Sequence, residues 1–199
     1  MAAGESSRRR GGEADRGGPS LDQRTGLSPR LVAAVRRLAE ADPRPVLLID
    51  GGAGSGKTTL AQALAASWPG NGAAQVVGLD ELYPGWAGLA AGSAAVPDVI
   101  TGTGFRTWDW AAERPGAWRE LDASAPLIVE GCGALTAASR PLAGLALWLE
   151  LDEATRRHRA LARDGAVFAA HWDDWAAQEA VHWLADHPRD LADLVIRAG

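Results

Sequence analysis

Short apolar runs alternate with longer amphipathic segments along most of the chain. Five runs are candidate buried strands, at residues 46–50 (VLLID), 75–79 (QVVGL), 126–129 (PLIV), 145–151 (LALWLEL) and 194–196 (LVI). Runs that are apolar throughout are typical of parallel strands covered on both faces. Because helical patterns separate them, the sequence predicts an α/β fold in which helices flank a five-stranded parallel sheet on both sides.

Helix signals lie between these runs. Ser28 is a suitable cap and Pro29 suits a first helical turn, with an apolar face formed by Leu31, Val35 and Leu38. Pro43 and Pro45 end this helix. The other predicted helices span residues 57–67, 153–164 and 172–185.

Two segments lack such patterns. Residues 1–27 are rich in Gly, Arg, Ser and Glu with little apolar content, so they are predicted to be a disordered leader before a single domain at 28–199. Residues 80–124 form a long connection that contains glycines and tryptophans. Connections of this length in compact domains are usually functional or partly helical.

Composition narrows the class of protein. The 199 residues carry a formal net charge of −5, which argues against broad nucleic-acid binding. The single cysteine, Cys132, excludes an intramolecular disulfide. With no apolar run near 18 residues and no secretory signal, the expected location is the cytoplasm, with no membrane contact.

A glycine-rich segment follows the first strand. Residues 51–59 read GGAGSGKTT and match the phosphate-binding motif G-x-x-x-x-G-K-[ST], between a strand and a helix as the motif requires. Its backbone N–H groups and the positive end of the helix favour phosphate. Lys57 is expected to bridge the outer phosphates, and the Thr58 hydroxyl to bind Mg²⁺. Every residue of this segment is a candidate nucleotide ligand: Gly51, Gly52, Ala53, Gly54, Ser55, Gly56, Lys57, Thr58 and Thr59.

Lys57 is also the only lysine, against nineteen arginines. Its retention indicates that a compact charge is required, where the planar arginine side chain does not fit. A guanine-reading Asn/Thr-Lys-x-Asp segment needs a second lysine, so a GTPase switch of that kind is excluded.

Two carboxylates end neighbouring predicted strands. Asp80 follows the second strand and Glu130 the third, and ligands bind at the carboxyl ends of parallel strands. One acid can orient Mg²⁺, and the other can accept a proton from an incoming hydroxyl. The alternative is that both are helix caps or solvated turn residues.

Arginines dominate the helix after the fourth strand. Arg156, Arg159 and Arg163 are spaced i, i+3, i+7 and share one face. A line of guanidinium groups can close over phosphate as a lid. A solvated basic helix is the alternative.

These motifs resemble those of the uridine kinase-like P-loop kinases. DGGAGSGKTT, GLDELYPGW, LIVEGCGAL and LDEATRRHRALARDG occur in that family's order and spacing, from about residue 45 to 199. The resemblance implies a P-loop kinase fold and MgATP-dependent transfer of the γ-phosphate to a small-molecule hydroxyl. It implies that Asp80 is the catalytic base, that Glu130 supports magnesium and that Tyr83 lies in the acceptor pocket. It also implies that Arg156, Arg159 and Arg163 belong to the lid.

The segment between the second and third strands departs from true uridine and cytidine kinases. It contains FRTWDW at 105–110, in which Arg106 and Asp109 are candidates for reading polar groups of the acceptor. Trp108 or Trp110 could stack on a flat ring. The alternative is that these residues only pin a long loop to the sheet.

Weaker patterns have structural explanations. Trp172, Trp175, Glu179 and His182 share one helical face, and Glu-x-x-His is the spacing of half a two-metal site. The second half is absent, which favours tryptophans packed on the sheet and a satisfied histidine. Cys132 is expected to be a small buried residue rather than a nucleophile.

The sequence therefore predicts a kinase with ATP and Mg²⁺ as cofactors and a small-molecule acceptor, such as a nucleoside. Catalytic residues are expected to be Lys57, Asp80 and the three lid arginines. Metal is expected at Thr58, Asp80 and Glu130, and acceptor at Tyr83, Arg106, Trp108 and Asp109. Two alternatives remain, a regulatory ATPase and a kinase-like protein that only binds nucleotide.

Overall fold

A computed structural model describes residues 27–70 and 72–197, which form an α/β fold around a five-stranded parallel sheet. The helices are α1 (Pro29–Ala41), α2 (Lys57–Ala66), α3 (Leu89–Thr101), α4 (Glu153–Ala169), α5 (Trp172–Asp186) and α6 (Pro188–Leu191). The strands are β1 (Val46–Gly51), β2 (Gln75–Gly78), β3 (Gly104–Asp109), β4 (Arg114–Glu120), β5 (Leu127–Glu130), β6 (Leu145–Glu150) and β7 (Leu194–Arg197).

The strand order β2-β5-β1-β6-β7 confirms the predicted parallel sheet. All six residues of β1 are buried, because helices cover both faces of the sheet. Leu47 and Ile49 pack in the apolar cluster that includes α1 and α2, whereas Val46 and Leu48 pack in the cluster that includes α3 and α5. These alternating directions produce the expected three layers.

The carboxyl ends of β2, β5 and β1 lie side by side. Glu130 is in register with Gly78 of β2 and with Ile49 of β1. The segments that follow these three strands therefore meet at one edge of the sheet.

The first helix forms as its pattern predicts. Ser28 Oγ accepts a hydrogen bond from the backbone N–H of Leu31 at 3.3 Å, and Pro29 opens the first turn. Residues 1–26 of the proposed leader lie outside the described residues. Leu27 packs against the apolar cluster of α1, so it belongs to the packed domain.

The connection at 80–124 contains more regular structure than its pattern indicates. It forms α3 and an antiparallel hairpin of β3 and β4. Pro97 lies inside α3 and breaks the usual helix signal. Most of β4 is exposed, so it lacks the alternation of apolar residues that marks a half-buried strand.

Helix α4 is interrupted at Gly165, where φ is 65° and ψ is −145°. Its first segment, at residues 153–164, matches the predicted charged helix. Among the described residues, no helix combines the length and apolar character needed to cross a membrane.

Candidate functional site

The glycine-rich segment forms a loop between β1 and α2. Gly54 and Gly56 have φ of 79° and 97°, which turns the chain sharply before Lys57 begins α2. Within the described chain, no side chain caps this helix, so N–H groups of its first turn are available to an anion. Ser55 Oγ is buried and has no hydrogen-bond partner within residues 27–70 and 72–197. The loop therefore fits a bound phosphate group.

Lys57 is almost fully buried beneath this loop. Its ammonium donates hydrogen bonds to the Gly52 carbonyl oxygen at 3.0 Å and to Cys132 Sγ at 3.5 Å. Burial alone would lower the pKa of Lys57, but the surrounding acidic groups, including Cys132 and Glu130, outweigh it and raise the pKa. The ammonium therefore stays charged beside the phosphate loop.

Thr58 and Glu130 form the part of the site suited to a metal. Thr58 Oγ1 donates a hydrogen bond to Glu130 Oε1 at 2.8 Å. Burial raises the pKa of Glu130, although Lys57 and Thr58 counteract this shift. No cluster of three or more His, Cys, Asp or Glu side chains suited to a metal occurs in the described ranges. Mg²⁺ fits such a site nonetheless, since it usually keeps waters and phosphate oxygens as ligands.

Asp80 lies in a 3-10 turn, Leu79–Glu81, directly after β2. Its side chain lines the same cavity as Lys57, Thr58 and Glu130. The cavity has a volume of about 560 Å³, within the range of small-molecule sites. The structure thus brings together the phosphate loop and both predicted strand-end acids.

Much of the cavity lining is aromatic. The aromatic lining residues are Tyr83, Trp86, Trp110, Phe168 and Trp175. The ring centroids of Trp86 and Trp110 are 5.0 Å apart, and those of Tyr83 and Trp175 are 4.9 Å apart. The Tyr83 hydroxyl donates to the Cys132 carbonyl oxygen at 2.7 Å, which fixes the ring as a wall. Burial raises the pKa of Tyr83 well above its ordinary value, so the phenol is neutral.

Known structures share this architecture. A "Possible Uridine Kinase" from Bacillus stearothermophilus is 18% identical with a TM-score of 0.54, covering 84% of this chain and 99% of its own. A proposed fructose transport system kinase from Silicibacter sp. TM1040 is 20% identical with a TM-score of 0.51, covering 83% and 97%. The chain has the P-loop kinase fold. No protein-family model and no curated protein matches the sequence.

The arginines of α4 separate into two groups in this P-loop kinase fold. Arg159 and Arg163 line the cavity, as a lid role requires. Arg163 donates to the carboxylate of Asp164 at 2.8 and 2.7 Å, and this contact raises the pKa of Arg163.

Arg156 does not join this group. It is 5% exposed and forms an ion pair with Glu179 at 3.0 Å, so the expected lid position is wrong for this residue. The reason is its place in the first turn of α4, which packs against the phosphate loop so closely that a Cβ added at Gly54 would overlap the Arg156 carbonyl oxygen. Its side chain therefore enters the protein behind the loop.

The candidates in the β3–β4 hairpin lie outside the cavity lining. Arg106 donates to the Gly116 carbonyl oxygen at 2.9 Å, and Asp109 Oδ1 accepts from the backbone N–H groups of Ala111 and Ala112. Trp108 does not line the cavity either. These contacts favour the alternative that the three residues hold the loop, and their positions do not support a substrate role.

Trp110 is the hairpin residue that reaches the cavity. Its Nε1 donates to the backbone oxygen of Asp80 at 2.7 Å, which ties the hairpin to the turn that carries the candidate base. The sequence does not separate the two tryptophans of TWDW, because a register shift between Arg106 and Trp108 interrupts the alternation of β3.

The remaining cavity residues carry little signal in the sequence. Trp86 ends the GLDELYPGW motif, from which no role for it is predicted, and Phe168 lies in a segment without a motif. The helical pattern around Trp175 predicts packing on the sheet. Trp175 does pack in the core, but it also lines the cavity. The sequence marks these cavity residues only by their aromatic type, and the overall aromatic content of the chain is ordinary.

Cys132 behaves as expected of a buried residue. Burial raises the pKa of its thiol well above the ordinary value, despite the opposing charge of Lys57. Sγ donates to Glu179 Oε1 at 3.2 Å. His182 is likewise satisfied, by Asp50 and Asp186.

Proposed function

We propose that the protein is an MgATP-dependent kinase that transfers the γ-phosphate to a hydroxyl of a small molecule, in the cytoplasm. The observation that carries this proposal is the position of Asp80. Asp80 is exposed and lines the same cavity as Lys57, Thr58 and the aromatic residues. A base in a cavity that also contains a phosphate loop and an aromatic lining suits transfer to a second substrate.

Each residue then has a defined task. The loop backbone and Lys57 would hold the phosphates, and Thr58, supported by Glu130 with Asp80 close by, would hold Mg²⁺. When bound there, the metal would supply neutralising charge to the phosphate oxygens. Asp80 accepts the proton of the acceptor hydroxyl. The hydroxyl oxygen bonds to the γ-phosphorus while the bond between the γ-phosphorus and the β-phosphate oxygen breaks, which releases ADP. Arg159 and Arg163 stabilise the charge that shifts during transfer.

The aromatic lining supports an acceptor with a flat ring. Aromatic side chains such as Trp86 and Trp110 provide stacking surfaces in the cavity, with Tyr83 as a fixed part of the wall. One structural neighbour is described as a possible uridine kinase and another as a proposed fructose transport system kinase. The ring-rich lining favours a nucleoside or a similar ring-bearing alcohol over an open polyol.

The test is a metabolite panel of nucleosides, sugars and vitamin alcohols, scored by ADP formation. One acceptor should stimulate ADP release, and Asp80→Asn should lower that rate by about 10² or more because the base is lost. Asp98→Asn, at an exposed aspartate of α3, is the matched control. Slow ATP turnover that no metabolite stimulates would favour the regulatory ATPase instead, and full acceptor-dependent activity of Asp80→Asn would remove Asp80 as the base.

A further inference from the structure

One face of α5 carries two ionisable side chains that are almost completely buried. Glu179 is 1% exposed and His182 is 6% exposed. Charged groups are rarely buried unless they are paired. Since no metal-binding cluster occurs in the described part of the chain, the partners of these side chains must explain their burial.

Glu179 contacts the phosphate loop directly. Its Oε1 accepts a hydrogen bond from the Ala53 N–H at 2.6 Å, and its Oε2 accepts one from Arg156 Nη1 at 3.0 Å. Arg156 Nη1 also donates to the Ala53 carbonyl oxygen at 3.1 Å. Both polar groups of the Ala53 backbone are therefore held by one buried ion pair.

The loop sequence is adapted to this ion pair. A Cβ added at Gly52 would overlap Arg156 Nη1, so no other residue leaves room for the guanidinium in this position. Glycine at position 52 thus allows the guanidinium to reach Ala53. The contact between Arg156 and Ala53 therefore belongs to the structure of the phosphate loop.

His182 holds the start of the loop. Its Nε2 lies 3.3 Å from Asp50 Oδ2, and its Nδ1 lies 3.3 Å from Asp186 Oδ2. Asp50 Oδ1 accepts from the Gly51 N–H at 2.6 Å. Both ring nitrogens face carboxylates, so the protonated ring donates to both.

We propose that Glu179 is a positioning residue that fixes the phosphate loop from α5 at Ala53. With Arg156, it presets the Ala53 peptide. The affinity for MgATP then depends on a helix that also supplies Trp175 to the cavity lining. This inference rests on the proposed function only in that the loop binds a nucleotide.

The sharpest variant is Glu179→Asp, which keeps the charge but shortens the side chain by one methylene. A carboxylate that acts by charge alone would be little affected, whereas one that positions Ala53 loses its reach. Glu40→Asp makes the same change at an exposed site on α1 and is the control. Arg156→Lys is the second variant, because Arg156 Nη1 makes both contacts, to Glu179 and to the Ala53 carbonyl oxygen, and the shorter lysine side chain does not reach that position.

Two measurements test the proposal on protein confirmed as folded by circular dichroism. Amide hydrogen exchange of a peptide containing Ala53, without nucleotide, should become about tenfold faster or more in Glu179→Asp and in Arg156→Lys, as expected for a lost charge-assisted hydrogen bond. Calorimetry should show a MgATP Kd raised by about tenfold or more. Glu40→Asp should match the wild type in both.

Wild-type exchange at Ala53 in both variants would overturn the proposal, and so would a wild-type MgATP Kd. The exchange measurement requires neither nucleotide nor acceptor. A protein that phosphorylates no metabolite yet shows the faster exchange and weaker MgATP binding in the variants would contradict the proposed kinase activity and support the positioning role.

Discussion

Lys57 carries its charge in a space that is closed on several sides. The side chain is almost fully buried, and its ammonium donates to the Gly52 carbonyl oxygen and to the Cys132 sulfur. A compact ammonium suits this space, and a planar guanidinium does not. The same requirement explains why one lysine persists among nineteen arginines.

Substituting this lysine tests that interpretation of the site. Lys57→Arg keeps the charge but should lower acceptor-dependent turnover by about 10² or more, close to the effect of Lys57→Ala, because the wider group displaces the loop and misplaces its charge. Steady-state ADP release measures the loss. Arg36→Lys, an exchange between the same residue types at an exposed site on α1, should have no effect. Turnover retained in Lys57→Arg would show that charge alone matters.

The site residues whose positions could be predicted from the sequence lie at strand ends or in the strict phosphate-binding motif. Asp80 and Glu130 lie at the cavity as expected, because parallel strands end at one edge. Arg156 does not, because helical periodicity tells which residues share a face and not how far along the helix a neighbouring loop packs. The first turn of α4 contacts the phosphate loop, and only the later turns reach the cavity.

At the scale of elements, α4 is two short helices joined at Gly165. The φ of Gly165 is 65°, which is unfavourable for a residue with a side chain, although a Cβ added at this position would meet no atom within 4 Å. Arg163 lies before the break and Phe168 after it, and both line the cavity. The break therefore bears on how Arg163 and Phe168 are placed relative to each other in the cavity wall.

Removing the break should change acceptor binding. Gly165→Ala is expected to lower the free energy of unfolding by about 1–3 kcal/mol through backbone strain, and any relaxation toward a straight helix shifts Phe168. The KM for the acceptor should rise while the Kd for MgATP changes little. Ala162→Gly, at an exposed helical position, should lower stability by about 1 kcal/mol without changing that KM. Equal KM effects in the two variants would mean that loss of stability, not geometry, is responsible.

The strands of the sheet are predictable as elements, and the hairpin is not. Apolar runs such as VLLID are recognisable in the sequence because a strand that is buried on both faces is apolar along its whole length. Strand β4 is mostly exposed and is held by hydrogen bonds to β3, which leave no apolar pattern. Trp110, which lines the cavity, depends on that hairpin for its position, so this part of the cavity wall has no counterpart in the hydrophobic pattern of the chain.

At the scale of the whole molecule, buried charges connect the sheet to its outer layer. Asp50 is the next-to-last residue of the buried strand β1 and accepts hydrogen bonds from the backbone N–H groups of Gly51, Gly133 and Leu135. His182 on α5 joins it to Asp186. The strand, the phosphate loop, the turn after β5 and α5 therefore share one polar centre, whose charge state bears on the stability of the domain.

This centre predicts a pH dependence of folding. Burial would lower the pKa of His182, but the hydrogen bond and charge of Asp50, with Asp186, raise it above the ordinary value near 6.5. A histidine with a raised folded-state pKa contributes its full stabilisation below the unfolded pKa and loses it as pH rises through the folded one. Urea unfolding across the range above about pH 6.5 should therefore show a falling free energy of unfolding. The fall should be smaller in His182→Gln and unchanged in His158→Gln, an exposed histidine of α4. A wild-type slope in His182→Gln would show that the Asp50–His182–Asp186 centre does not titrate as the geometry requires.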